Sequence, residues 1–272
     1  AIYHSPSEAS PRLWPDAYVP LATIRILLRS SEATVASNTA ISLWRENSRP
    51  RIPNELLDDW KPVIVEFVDE GHVLENVFKE FPDLAFPWIA RRLEDIRTQR
   101  RRFWFGHKQD RALSAAVSVL PLDKRAELID MLPNQCASRV VRTLIGGHSE
   151  LFERLLSKEG LDNVKLAPLE TFYDHSSEFR EFGGAWMRMA AIALDSGHSE
   201  AAIFEASQAG GGSWSGSESQ MYANRLFPFE KLLEHSDSRL RRIGQIGVDH
   251  FTMRRDASLA GEKRARQRGK IP

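Results

Sequence analysis

Apolar residues recur along the chain three and four positions apart, with polar residues filling the gaps. Leu74, Val77, Phe78 and Phe81 form one such stripe, and Ile89, Leu93 and Ile96 a second. Leu122, Ala126, Ile129 and Leu132 form a third, and Leu240, Ile243, Gly247 and Phe251 a fourth. This spacing gathers apolar side chains on one face of an α-helix, whereas the period-two alternation of a half-buried strand is scarce. Prolines and glycines at Pro53, Gly71, Pro82, Gly106, Pro121, Pro133, Gly147, Gly160, Pro168, Gly183 and Gly197 cut the chain into pieces mostly of helical length. The pattern predicts an all-α protein of many short helices. A short helix covers only one stripe of its neighbour, so the expected architecture is stacked antiparallel helical hairpins, a solenoid-like array.

A four-residue echo agrees with hairpins. Gly147-His148-Ser149-Glu150 and Gly197-His198-Ser199-Glu200 are identical, and each lies between two apolar helical stretches. The expected mechanism is local: glycine takes the left-handed position that ends one helix, serine caps the next, and the acid meets the positive end of its dipole. His235-Ser236-Asp237 is a shorter version.

Composition narrows the function classes. With 42% hydrophobic and 27% charged residues the chain has ordinary globular usage, and its 37 basic and 37 acidic residues cancel. A balanced charge gives no global pull toward nucleic acid or an anionic membrane, so local clusters must supply it. One cysteine, Cys136, rules out an internal disulfide and fits a reducing, cytoplasmic setting. No apolar run reaches the roughly 20 residues of a membrane helix, and no signal-peptide pattern opens the chain, so no membrane partner is expected. A start at Ala1 reads as a segment of a longer polypeptide with covalently linked upstream domains. Two regions are expected: an N-terminal helical subdomain over 1–108 and a C-terminal helical array with a basic tail over 109–272.

Candidate chemistry is sparse. Gly210 to Ser217 reads GGGSWSGS, which lacks the lysine of a phosphate-binding P-loop, the third glycine of a dinucleotide fingerprint and the central serine of a nucleophile elbow. It reads as a flexible connection whose Trp214 docks on a helix, with Ser217 or Ser219 capping the next helix. The eight histidines show neither i, i+4 pairing nor a cysteine at metal-ligand spacing, so neither metal nor cofactor is expected. An enzymatic reading would have to assemble dispersed residues such as His148, Glu150 and His198, and Cys136 reads as a small buried hydrophobe.

Two basic stretches carry more weight. Between Arg91 and Arg111 the residues Arg91, Arg92, Arg97, Arg100, Arg101, Arg102, Lys108 and Arg111 accompany Phe103, Trp104 and Phe105, a mixture that grips phosphates and stacks on bases. From Arg254 to Lys270, seven cations accompany Asp256 and Glu262. The competing reading is a set of solvated helix faces whose arginines pair with acids on neighbouring helices. Seven tryptophans, at positions 14, 44, 60, 88, 104, 186 and 214, divide between core packing and exposed anchors for a protein ligand.

The region from about Leu113 onward, with Leu120-Pro121-Leu122-Asp123-Lys124-Arg125, Leu144-Ile145-Gly146-Gly147, Gly212-Ser213-Trp214-Ser215-Gly216 and His235 to Ile243, resembles the HEAT-like helical C-terminal regions of large bacterial multidomain proteins. Among these are STAND-type anti-phage defence ATPases. The resemblance implies a HEAT-like α-solenoid that recognises a ligand or mediates assembly while upstream domains do the chemistry. It carries no catalytic residue onto this chain. The expected function is a non-catalytic recognition or scaffold region binding a protein ligand, the alternative being a nucleic-acid-binding array built on Arg91 to Arg111. Candidate binding residues are Arg97, Arg100, Arg101, Arg102, Trp104, Trp214, Arg241 and Arg242.

Overall fold

A computed structural model describes residues 12–14, 17–45, 52–98, 107–170, 182–208 and 216–268. Among these, helices carry the fold, as the periodicity predicts, and the exception is a minimal antiparallel pair, β1 (Arg12–Trp14) and β2 (Ala17–Tyr18). The chain divides into two compact units, Ala1–Leu144 and Ile145–Pro272. The 108/109 position lies inside the first of these units, within a helix spanning His107–Ser118 that packs against an earlier one.

The first unit holds α1 (Leu21–Leu28), α2 (Ala33–Arg45), α3 (Asn54–Phe67), α4 (Gly71–Glu80), α5 (Ala85–Arg97), α6 (His107–Ser118) and α7 (Leu122–Met131), and closes with α8 (Ser138–Ile145). Alternate helices pack on one another, α1 with α3, α3 with α5 and α5 with α7, and likewise α2 with α4 and α4 with α6; α1 with α2, α2 with α3 and α5 with α6 also touch. Tryptophans fill the space between them. Trp44 stacks on Trp60 with ring centroids 5.6 Å apart, and Phe81 closes on both. Two of the buried indoles also find an acceptor: Trp60 donates to the Ala40 carbonyl (3.0 Å) and Trp88 to the Val68 carbonyl (2.9 Å). Burying an indole of about 200 Å² at about 25 cal/mol per Å² contributes on the order of 5 kcal/mol before entropy is counted.

One apolar stripe lies differently from its sequence expectation. On α7 the buried residues are Arg125, Leu128 and Ile129, while Leu122 is 39% exposed. The face is turned toward Arg125 because its guanidinium Nε donates to the Leu144 carbonyl at the end of α8 (2.8 Å), joined by Nη2 on the same oxygen.

The second unit contains α9 (Ser149–Ser157), a 3-10 turn at Ala167–Leu169, α10 (Gly184–Asp195), α11 (Glu200–Gln208), α12 (Glu218–Leu232) and α13 (Ser238–Gln267). Helices α12 and α13 pack closely, since Gly244 and Gly247 bring α13 against Phe229. A Cβ added at Gly247 would lie 2.2 Å from the Phe229 ring. Around Phe229 gather Phe182, Phe204 and Phe251, with centroids 5.0 to 5.6 Å from it. The stripe Leu240, Ile243, Gly247, Phe251 is buried as its spacing predicts.

The repeated Gly-His-Ser-Glu turns follow their expected mechanism to different extents. Gly147 (φ 85°) and Gly197 (φ 89°) both adopt the left-handed conformation that ends a helix. At the second turn Ser199 Oγ accepts from the Ala202 amide (3.2 Å), a serine cap. At the first, Ser149 is already helical and its hydroxyl turns to Glu150.

Candidate functional site

The described arginines of the Arg91 to Arg111 stretch have internal partners. Arg91 pairs with Glu66 (2.5 Å) and Asp95 (3.4 Å), Arg97 with Glu94, and Arg111 with Glu75 (2.5 Å). Arg92 is fully buried. Its guanidinium donates to the carbonyls of Val65, Glu66 and Val68 and to the Asp69 carboxylate, all within 3.1 Å. Those carbonyls end α3, where the last turn of a helix leaves acceptors unmatched, so Arg92 caps α3 and offsets the negative end of its dipole. Arg125 does the same for α8. Sequence reading placed Arg92 among solvated or phosphate-gripping cations. The available signal was its spacing, since Arg92 follows Trp88 by one turn on the buried face of α5.

The other candidates separate. Arg100, Arg101, Arg102, Trp104 and Trp214 lie outside the described residues. Arg241 donates through Nη1 to the His235 and Ser236 carbonyls (2.8 Å each), and Arg242 pairs with Glu200 (3.1 Å). Arg239 joins Asp195 (2.6 Å) and Asp237 (3.0 Å), so the start of α13 is tied to the turn between α10 and α11 by two ion pairs. Asp237 also accepts from the Arg239 amide and caps α13; these donors hold its carboxyl below the usual range. Trp44, Trp60, Trp88 and Trp186 are all buried, so none of these four is an exposed anchor.

The groups considered for catalysis have structural surroundings. Burial pushes the Cys136 thiol up to about 12, which keeps it protonated and unreactive. His148 approaches Glu150 at 3.9 Å on an exposed turn. Among the described residues no group of three or more His, Cys, Asp or Glu is placed to hold a metal ion, and no helix is long and apolar enough to cross a membrane.

An open cleft of about 730 Å³ lies between the first turn of α12 and the C-terminal half of α13. Ser217, Glu218 and Tyr222 line one side, and Arg254, Ser258 and Arg266 the other. Ser217 caps α12 by accepting from the Gln220 amide (3.2 Å), as expected of it or Ser219. Ser219 has another partner: its amide and hydroxyl donate to the Glu262 carboxylate on α13 (3.2 and 3.0 Å). These donors hold the Glu262 carboxyl below its usual range. Ser258 bridges the floor, donating to Glu218 (3.2 Å). The polar groups of the cleft thus hold α12 against α13.

Comparison with protein-family models, with curated proteins and with solved structures finds no match. The resemblance to HEAT-like regions of STAND-type ATPases therefore rests on the sequence motifs alone.

Proposed function

We propose that the protein is a non-catalytic recognition or scaffold region of a larger cytoplasmic bacterial protein, built of stacked antiparallel hairpins in a HEAT-like arrangement. Its ligand in this reading is a protein, bound on the broad faces that rows of helices present. The supporting observation is the packing of the first unit, in which α1, α3, α5 and α7 contact in series beside α2, α4 and α6. Buried arginines serve that packing, since Arg92 and Arg125 close helix ends.

The alternative reading, nucleic-acid binding through Arg91 to Arg111, loses its described half to Glu66, Asp69, Glu94 and Glu75. The test immobilises the full chain in nuclease-treated extract and reconstitutes any retained protein from purified components. Saturable one-to-one binding that protects amides on the exposed faces of α1 to α7 from hydrogen exchange supports the reading. Retention of nucleic acid alone, or turnover of a small molecule by the isolated chain, overturns it.

A further inference from the structure

The end of α13 differs from every other basic stretch described. From Arg254 to Arg268 it carries six cations against Asp256 and Glu262. The two acids offset the run only locally, and Glu262 feels the charge of Arg266. Asp256 is taken by Arg255 (2.9 Å), and Glu262 is turned inward to accept from Ser219. Arg264 donates to the Ala260 carbonyl of its own helix, and no ion pair joins Arg254, Lys263, Arg264, Arg266 or Arg268 to another described residue.

We propose that this half of α13 is a nucleic-acid-binding surface that engages the phosphate backbone. At 100° per residue, Arg254, Arg264 and Arg268 fall on one flank and Lys263 and Arg266 on the other. Exposed Ala260 and Gln267 lie between them over the last turns, and Met253 and Asp256 between them at the start of the run. The run spans about 21 Å, along which a duplex presents on the order of twelve phosphate charges. Over the last turns, two cationic flanks about the small Ala260 and the polar Gln267 suit a groove with a phosphate wall on either side. A protein partner would need a desolvated apolar or aromatic centre. Here the large exposed apolar side chains are Met253 and Leu259 alone.

The test titrates the full chain into a fluorescein-labelled DNA duplex of about 24 base pairs and follows anisotropy from 50 to 200 mM salt. With about four phosphates neutralised, affinity is expected to fall on the order of a hundredfold across that range. The triple variant Lys263→Glu, Arg264→Glu, Arg268→Glu is expected to lose binding at 50 mM salt. It should keep its circular dichroism, because none of the three side chains contributes an ion pair to the fold. Absence of wild-type binding at 50 mM salt, or unchanged binding by the triple variant, overturns the proposal. So does displacement of the duplex by poly-glutamate at equal charge, which would mark the surface as a site for acidic protein. Loss on Arg100→Ala, Arg101→Ala, Arg102→Ala with the triple variant intact would place binding on the earlier stretch and equally overturn it.

Discussion

At the scale of single residues, the informative side chains are charged groups that do not meet water. Arg92 is surrounded by three carbonyls, Asp69 and the nearly buried Asp95, with Trp88 beneath it (5.4 Å to the ring). Arg92→Met leaves these acceptors and acids unmatched, and is expected to cost about 3–5 kcal/mol in urea unfolding. Arg92→Lys recovers little of it, because a single ammonium cannot reach acceptors that a planar fork serves together. Cys136 gives a second prediction. A disulfide reagent at pH 7 leaves the folded thiol unmodified and titrates one equivalent after denaturation, since burial holds the folded group near 12. Sequence made the cysteine legible and the arginine not. A small apolar-like residue between helix formers reads as core, whereas the acceptors of Arg92 lie 23 to 27 positions away and leave no local trace.

Between elements, close approach decides stability. Gly247→Ala forces its methyl into Phe229, at the centre of the aromatic cluster, and is expected to cost about 1–3 kcal/mol in the same assay. The stripe containing Gly247 was legible because Leu240, Ile243 and Phe251 bracket it at helical spacing. The face of α7 was misjudged because Arg125 counts as polar in any such pattern. His250 adds a pH dependence between helices. Burial against Phe204 and Phe251, and then the charge of Arg254, hold its imidazole below 6.5. Its unfolded form binds a proton more readily, so its contribution is complete above about pH 6.5 and is lost as pH falls through the folded value. Thermal melts from pH 7 to 5.5 should show a decline that His250→Phe lessens.

Across the whole molecule, two separate cores follow from the two units, one around Trp60 and Trp88 and one around Phe229. Arg92 belongs to the first unit and Gly247 to the second, so their substitutions should be additive to within about 0.5 kcal/mol in the double variant. A larger coupling would contradict that separation. The all-α character was written in the periodicity, while the division after Leu144 was not. It depends on which helices pack together, which no local pattern records. Charge deceives at this scale too: the total is zero, yet the described arginines of one stretch pair internally and most of those at the end of α13 do not. The carboxylate of Glu262 at the start of α12 has a consequence in time. Its partner Ser219 is made 43 residues earlier, so a nascent chain emerging from the ribosome carries α12 with that partner unmet until the far end of α13 has been translated. The fastening of α12's first turn to α13 is therefore a late event in biosynthesis, and a stop codon before position 262 would leave that turn without it.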